Sequence, residues 1–426
     1  MSTNVYEQLP LTPPVLEPEI ESSPTLTTWK EKLRDLRYLT FLFVGIGLLW
    51  PWNCILSASL YFKTIIFKET TIWAKIFASS MMTTSTISSM LFNVWLARRQ
   101  HSYSRRVVRG LVWEVIAFVL LTIISLIHNI LPLWFSFINI MLLVSISSIA
   151  TAMTQNGIMA IANVYGGEFS QSVVMGQAVA GVLPSVVLLF VAFVSPDNDG
   201  SSSSTGGILF YFLTTAIVSI ICICLYKVSN VDQKLVLIAE GSPNLENKTE
   251  IPFNVLFKKL KWLVCSIFMT FMVTLIFPVF ASTISVTRLP ITNSQYIPLI
   301  FTVWNLGDLY GRVIADLPTF RDPNFTPLRI FIYSNLRIIM VPIFFYFAHY
   351  YKDTKSRTIF FDMGYILLQF IFGVTNGHVI SISFMKVPET VDTEEEKEAA
   401  GGFTNIFVAT GLAAGSILSY MVVFMI

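Results

Sequence analysis

The stretch Asn305-Leu-Gly-Asp308-Leu-Tyr-Gly-Arg312 lies inside an otherwise apolar segment, residues 296–318, that is long enough to cross a lipid bilayer. A central Asp or Arg in a membrane helix costs roughly 2.5–3.5 kcal/mol on insertion scales. Because Asp308 and Arg312 are four residues apart, both side chains project from one helical face, with the acid N-terminal to the base. We therefore expect that face to border a polar cavity.

The composition of the whole chain is that of a membrane protein. Of its 426 residues, 54% are hydrophobic and 13% are charged, against roughly 25% charged in soluble domains. Apolar windows of about 20 residues, which match the bilayer thickness, follow one another along nearly the entire chain. The sequence predicts an all-α polytopic membrane protein with eleven transmembrane helices, at 38–62, 72–97, 110–127, 134–158, 171–194, 207–226, 262–286, 296–318, 327–350, 359–385 and 400–426.

A long polar and basic segment divides these helices into six and five. We expect a disordered or amphipathic cytoplasmic tail (1–37), an N-terminal six-helix bundle (38–228), a cytoplasmic linker (229–261) and a C-terminal five-helix bundle (262–426). Residues 1–28 are rich in proline and acids and contain no apolar run, so they cannot bury a core. Glycines at 157, 166 and 167 interrupt the apolar run between the fourth and fifth helices. The boundary there is the least sharply defined.

The distribution of basic residues predicts the orientation in the membrane. Lys and Arg are concentrated in the tail and in alternate loops, and loops rich in these residues stay cytoplasmic. The N-terminus is then cytoplasmic and the C-terminus outside or luminal. The tail is acidic where a secretory signal peptide would be basic, so no signal peptide is expected. Topology accounts for the net charge of +2, which therefore gives no reason to expect nucleic-acid binding.

Motifs of enzymatic catalysis are missing from the sequence. It contains no HExxH, P-loop, GxSxG or dinucleotide-binding fingerprint. The four cysteines lie in predicted spans and are interpreted as buried thiols rather than metal ligands or disulfides. We expect no enzyme, with no catalytic residue, cofactor or metal, and no obligate protein partner is evident.

Polar residues recur near mid-depth in three predicted helices. They are Trp52 and Asn53 in the first, Gln155 in the fourth, and Asp308 and Arg312 in the eighth. Transporters bind solutes at this depth, often where Pro or Gly interrupts a helix, and Pro51 supplies such an interruption. An indole ring can stack on a planar group, while amides and an ion pair can hydrogen-bond hydroxyls and ring nitrogens. These groups suit a small, planar, uncharged polar solute such as a nucleoside.

Structural alternatives exist for each of these residues. Trp52 could be a packing residue, and Gln155 could bridge two helices by a hydrogen bond. Asp308 and Arg312 could form a structural ion pair, or Arg312 could pair with Asp316, four residues further along. Small residues spaced by four are interpreted as sites of close helix packing; they are Gly176 with Ala180, Gly373 with Gly377, and Gly411 with Gly415. The acidic run 389–398 is expected to be a solvated cytoplasmic loop whose last acids favour the N-terminus of the final helix.

Several of these motifs resemble those of the equilibrative nucleoside transporter family. The segment Gly45-Ile-Gly-Leu-Leu-Trp-Pro-Trp-Asn53 is similar to its opening motif, and Gln155 with Gly176-Gln-Ala-Val-Ala-Gly181 resembles its fourth and fifth helices. Asn305 to Arg312 resembles its eighth helix. Asn376-Gly377, Glu398-Ala-Ala-Gly401 and Gly411-Leu-xx-Gly415 resemble its C-terminal part. The match extends in order over nearly all of residues 38–426.

The resemblance implies a major-facilitator-like fold of six plus five helices, with alternating access to a central cavity. It also implies facilitative transport of nucleosides, and of nucleobases in some members, without an ion gradient. The substrate-binding residues that it implies are Leu49, Trp52 and Leu56 beside the nucleobase, Gln155 on the base, Asp308 and Arg312 on the ribose, and Asn53 and Asn305 as neighbours. Candidate gating or pH-sensing residues are His378, where the family usually has an aromatic residue, and Glu398.

Two other functions stay open. One is proton-coupled symport of nucleobases or other small solutes, and the other is a membrane receptor that binds a ligand without moving it. The sequence of residues 155–164 resembles that of the fungal branch of the family, which is associated with the vacuolar membrane. We therefore expect a vacuolar or other endomembrane location, with the plasma membrane as the alternative. The expected partners are nucleoside or nucleobase substrates and the lipid bilayer.

Overall fold

The computed structural model describes residues 28–194, 205–235, 250–286, 288–321, 324–351 and 358–425, and these residues form helices with no strand among them. The long helices are α1 (Leu36–Ser57), α2 (Ile72–Arg98), α3 (Tyr103–Ile127), α4 (Leu133–Tyr165), α5 (Gly167–Val194), α6 (Thr205–Val228), α7 (Phe253–Thr274), α8 (Asn293–Ile314), α9 (Pro327–Leu336, continued by Arg337–Ile339 and Met340–Tyr351), α10 (Ile359–Thr390) and α11 (Glu394–Met425). Short helical segments adjoin them at Trp29–Lys32, Ser59–Tyr61, Phe62–Ile66, Phe277–Thr283 and Pro318–Arg321. Most of the expected tail, residues 1–27, lies outside the described residues.

Within the described ranges, nine helices are long and apolar enough to cross a membrane. The helices α2 and α8 cover the second and eighth expected spans but are not among the nine. The reason is their polarity, because α2 carries a run of Ser and Thr residues between 79 and 89 and α8 carries Asn305, Asp308 and Arg312. The all-α polytopic membrane fold is confirmed. The count of eleven spans stays a prediction.

The helices extend beyond several of the expected boundaries. Helix α4 runs to Tyr165 where the fourth span was expected to end at 158, α10 runs to Thr390 where the tenth was expected to end at 385, and α11 starts at Glu394 where the eleventh was expected to start at 400. In the same way α3 begins at Tyr103 rather than 110 and α7 begins at Phe253, inside the expected linker. These boundaries were set by hydropathy, whereas the polar helix ends remain helical because they pack against one another.

Four of these helix ends meet at one end of the molecule, which we call the closed end. It comprises residues 156–165, 169–176, 376–388 and 398–405, all of which are buried. Asn163 Nδ2 donates to the carbonyl oxygen of Lys397 at 3.1 Å, and Ser170 Oγ donates to Asn163 Oδ1 at 2.8 Å. The ends of α4 and α5 are therefore joined directly to the start of α11.

The expected break between the fourth and fifth helices lies at Gly166. Its φ of 120° is in a region that glycine adopts without steric penalty and that L-residues with a side chain avoid. Gly157, by contrast, continues the helix, because a side chain there would meet the backbone of Tyr103 in α3. One glycine thus turns the chain and the other permits two helices to approach.

Two residues of the acidic run 389–398 are less exposed than expected. Glu396 and Glu398 are buried in the first turns of α11, and Glu396 Oε1 accepts a hydrogen bond from Lys259 Nζ of α7 at 2.6 Å. The expectation of a solvated loop is wrong for these two residues, because α11 begins earlier and turns both carboxylates toward the protein.

Helices α1 and α5 pack closely against each other in the N-terminal half. A methyl group added at Gly176 would overlap the carbonyl oxygen of Leu42, and one added at Gly45 would overlap that of Val173. This confirms the interpretation of the Gly176 spacing as a packing motif. Because α5 also packs on α8 and α10, it lies between helices of the two halves of the chain.

We predict that Gly176→Ala lowers the free energy of unfolding by about 1–3 kcal/mol, the usual cost of an overpacked contact. The matched control is Gly206→Ala in α6, where an added methyl group meets no atom within 4 Å. Thermal unfolding of the detergent-solubilised protein measures the difference. Equal midpoints for Gly176→Ala and the native protein would contradict the packing role.

Candidate solute-binding site

Asp308 and Arg312 of α8 form an ion pair in the interior of the protein. Arg312 Nε donates to Asp308 Oδ2 at 2.9 Å, and the two residues are only 6% and 4% exposed. The other carboxylate oxygen, Oδ1, accepts a hydrogen bond from Asn376 Nδ2 of α10 at 2.6 Å. Thr274 Oγ1 of α7 donates to Asn376 Oδ1 at 2.5 Å and so fixes the orientation of this amide. The buried carboxylate therefore has a partner on each oxygen.

Arg312 also joins α8 to α5. Its Nη1 donates to the carbonyl oxygen of Val174, and Gln171 Nε2 donates to the carbonyl oxygen of Arg312 at 3.0 Å. Both contacts lie at the closed end of the molecule. The guanidinium thus connects the candidate site to the packing between the two halves of the chain.

Asp316 does not take Arg312, so that alternative is wrong. Its carboxylate binds Lys32 instead, with Nζ 2.6 Å from Oδ1 and Oδ2. The Lys32 side chain is fully buried, and its Nζ lies 5.1 Å from the ring centroid of Trp29 and 5.7 Å from that of Tyr38. The final residues of the expected tail are therefore folded against the end of α8.

A cavity of about 320 Å³ lies between α1, α5 and α8. It is lined by Asn53, Leu56, Ser57, Gly181, Pro184, Ser185, Leu188, Ile297, Pro298, Phe301 and Asn305. Asn53 Nδ2 donates to the carbonyl oxygen of Ala180 at 2.8 Å, and Asn305 Nδ2 donates to that of Phe301 at 2.9 Å. Three of the predicted site residues, Asn53, Leu56 and Asn305, thus share one cavity.

The structure does not bring the other predicted substrate-binding residues into the lining of this cavity. Asp308 is one turn beyond Asn305 along α8, toward the closed end. Leu49 and Trp52 are half-buried on α1, and Trp52 packs against an apolar cluster of the N-terminal half. Gln155 Nε2 donates to Asn405 Oδ1 of α11 at 3.1 Å, so in this conformation it bridges two helices.

The two candidate gating residues belong to the closed end. His378 is buried, and its ring lies 4.3 Å from that of Phe320 and 5.6 Å from that of Tyr333. Glu398 is buried in α11. Neither residue is part of the cavity lining.

Sequence reasoning missed three partners of the predicted residues. Asn376 binds Asp308, Asn405 binds Gln155, and Lys32 binds Asp316. An amide inside an apolar span was the available signal for Asn376 and Asn405. Lys32 gave no such signal, because a basic residue before the first span is already explained by membrane topology.

Comparison with known proteins agrees with this architecture. The family profile "Nucleoside transporter" matches residues 140–240 and 231–424. The chain is 55% identical to the nucleoside transporter FUN26 of Saccharomyces cerevisiae, over 93% of this chain and 86% of the relative, and 26% identical to the equilibrative nucleotide transporter 1 of Arabidopsis thaliana, over 90% and 85%.

The fold is similar to that of solved major facilitator proteins. The proton:xylose symporter XylE superposes with a TM-score of 0.62 at 13% identity, over 92% of this chain and 89% of that chain. The expectation of a major-facilitator-like fold is therefore confirmed. The profile match over most of the chain, together with the extended identity to the yeast relative, shows that the chain belongs to the nucleoside transporter family.

Proposed function

We propose that this protein carries nucleosides across its membrane by facilitative transport. The observation that carries the proposal is the 320 Å³ cavity between α1, α5 and α8, one helical turn from a buried ion pair, in a chain of the nucleoside transporter family. Its volume is at the lower end of the roughly 300–1,000 Å³ that small-molecule sites occupy. Apolar walls with a few convergent polar groups suit a base joined to a sugar.

The chemistry of the site residues and the resemblance of their motifs to those of the family support the roles that we propose for them. We assign Leu49, Trp52 and Leu56 to the nucleobase, because the indole ring can stack and the leucines exclude water. Gln155 hydrogen-bonds the base. Asp308 accepts hydrogen bonds from ribose hydroxyls, and Arg312 donates hydrogen bonds to them. Asn53 and Asn305 contact the solute as neighbours in the cavity. The hydrogen bonds to the charged pair each contribute roughly 1.5–3 kcal/mol.

We propose transport by rocking of the six-helix bundle (38–228) against the five-helix bundle (262–426). The solute enters the cavity while the closed end stays packed, and it leaves after that end separates. The distribution of basic residues supports a cytoplasmic N-terminus and hence a cytoplasmic closed end. Similarity to the yeast nucleoside transporter supports a fungal type of protein, for which we propose a vacuolar or other endomembrane location.

We predict that proteoliposomes with the purified protein take up labelled adenosine and uridine saturably, without a pH gradient. Asp308→Asn should reduce the initial rate by roughly 10- to 150-fold. This is the factor that corresponds to the loss of one hydrogen bond to a charged group, about 1.5–3 kcal/mol. The control is Asp392→Asn, which makes the same substitution at a side chain that is 79% exposed.

Two results would contradict the uniporter. Uptake that occurs only when a proton gradient is imposed would identify a symporter. Labelled adenine, offered in the same assay, tests whether nucleobases are substrates of that symporter. Binding of nucleosides by folded protein with no flux of any solute would identify a receptor. Equal rates for Asp308→Asn and Asp392→Asn would remove Asp308 from the site.

In the proposed mechanism the Lys32–Asp316 ion pair is a lock, which means that it holds the closed end shut. Lys32 precedes α1 and Asp316 follows α8, so the pair joins the two proposed bundles. Removal of one partner from a buried ion pair costs about 3–5 kcal/mol, because the remaining charge is left buried without compensation. Opening of the closed end must separate these two groups.

We predict that Lys32→Asp speeds the labelling of a Ser172→Cys protein by a thiol reagent. The rate should rise by roughly tenfold or more, because breaking a buried ion pair costs several kcal/mol. Ser172 is fully buried at the closed end, and the four native cysteines are first replaced by alanine. The double charge swap, Lys32→Asp with Asp316→Lys, should restore slow labelling. Lys30→Asp, an exposed site on the same segment, is the control, and equal labelling for both single variants would contradict the lock.

A further inference from the structure

Arg337 of α9 is a second buried cation near the candidate site. It begins a 3₁₀ turn, Arg337–Ile339, that interrupts α9, and only 1% of its surface is exposed. An arginine in the middle of a membrane helix is costly to insert, and such residues are usually tied to function. The interactions of its guanidinium group therefore need an explanation.

The hydrogen bonds of Arg337 are incomplete. Nε donates to Thr375 Oγ1 of α10 and Nη1 donates to the carbonyl oxygen of Thr270 of α7, each at 3.3 Å. The guanidinium carbon lies 4.8 Å from the ring centroid of Phe372. Among the described residues, Nη2 has no hydrogen-bond partner. A guanidinium has five N–H donors, so packing and partial hydrogen bonding alone do not explain why a charge is placed here.

The two anchors of Arg337 are neighbours of the residues that hold Asp308. Thr375 precedes Asn376, whose Nδ2 binds Asp308 Oδ1 at 2.6 Å. Thr270 lies one turn before Thr274, whose Oγ1 binds Asn376 Oδ1 at 2.5 Å. Arg337 therefore hydrogen-bonds both α7 and α10 close to the residues of these helices that fix the position of the Asp308 carboxylate.

Arg337 is a buried cation without an ion-pair partner among the described residues. Its link to the Asp308 carboxylate runs through Thr375 and the neighbouring Asn376. Arg312, the direct partner of Asp308, is the cation that turns toward the solute in the proposed function. At that moment the buried carboxylate keeps a compensating positive charge only if a second cation is fixed nearby, because screening in the interior is weak.

We propose that Arg337 is a positioning residue of the nucleoside site, which holds Asn376 against Asp308 and balances the carboxylate charge while Arg312 engages the solute. The inference rests on the proposed role of Asp308 in nucleoside transport. Arg337 itself does not touch the solute. Its effect appears in the apparent affinity for the solute, since it sets the place and the charge of a group that binds it.

The test measures KM and the maximal rate of uridine uptake into proteoliposomes for the native protein, Arg337→Gln and Arg337→Lys. Arg337→Gln keeps a hydrogen-bonding group but loses the charge, and it should raise KM roughly tenfold with a smaller change in the maximal rate. Arg337→Lys keeps the charge and should restore most of the affinity. The matched control is Arg329→Gln, on an exposed site of the same helix, which should keep the native KM.

A second variant keeps the test decisive if Arg337→Gln does not fold. Thr375→Val removes one anchor of Arg337 with almost no change in shape, and it should raise KM about threefold. A native KM in every folded variant among Arg337→Gln and Thr375→Val would overturn the positioning role, as would an Arg337→Lys protein no better than Arg337→Gln. The native protein is measured in the same kind of vesicle. If it shows no saturable uridine uptake, the proposed function itself is overturned; if it does, the variants test the role of Arg337 alone.

Discussion

Burial of the Asp308–Arg312 pair is the constraint on which the rest of the structure depends. A buried ion pair is tolerated only when additional hydrogen bonds satisfy the remaining acceptors and donors. Here Asn376 occupies the second oxygen of Asp308 and the Val174 carbonyl accepts from Arg312. The pair therefore fixes α8 against α10 on one side and against α5 on the other.

The close packing of α8 on α10 follows from the same requirement. A methyl group added at Gly377 would overlap the carbonyl oxygen of Asp308, so a larger residue there would push the two helices apart. Asn376, the preceding residue, would then lose its 2.6 Å contact with the carboxylate. A small residue beside the amide is thus as important to the ion pair as the amide itself.

The sequence predicts the local features of this site and little of its surroundings. The spacing of Asp308 and Arg312 places them on one face, and glycine at 166 marks the break between α4 and α5, because both effects act within a few residues. Asn376 as a partner of Asp308 and Lys32 as a partner of Asp316 depend on contacts between residues far apart in the chain. Helices α7 and α11 also start before the spans that hydropathy predicts, since lysines and acids at those helix ends are stabilised by tertiary contacts such as Lys259 with Glu396.

Binding of a solute can be coupled to opening because Asp308 and Arg312 lie on α8 and Asp316, which binds Lys32, follows directly after its end. Asp308, Arg312 and Asp316 follow one another at intervals of four, and the last of them holds Lys32. In the proposed mechanism, a solute that binds the Arg312 guanidinium would remove its bond to Val174, which is one of the contacts of α5 with α8 at the closed end. Moving a two-state equilibrium from 1:99 to 99:1 takes about 5.5 kcal/mol, and hydrogen bonds to charged groups contribute roughly 1.5–3 kcal/mol each. Two to four such bonds, made with the solute in only one of the two conformations, would supply this difference without a covalent step.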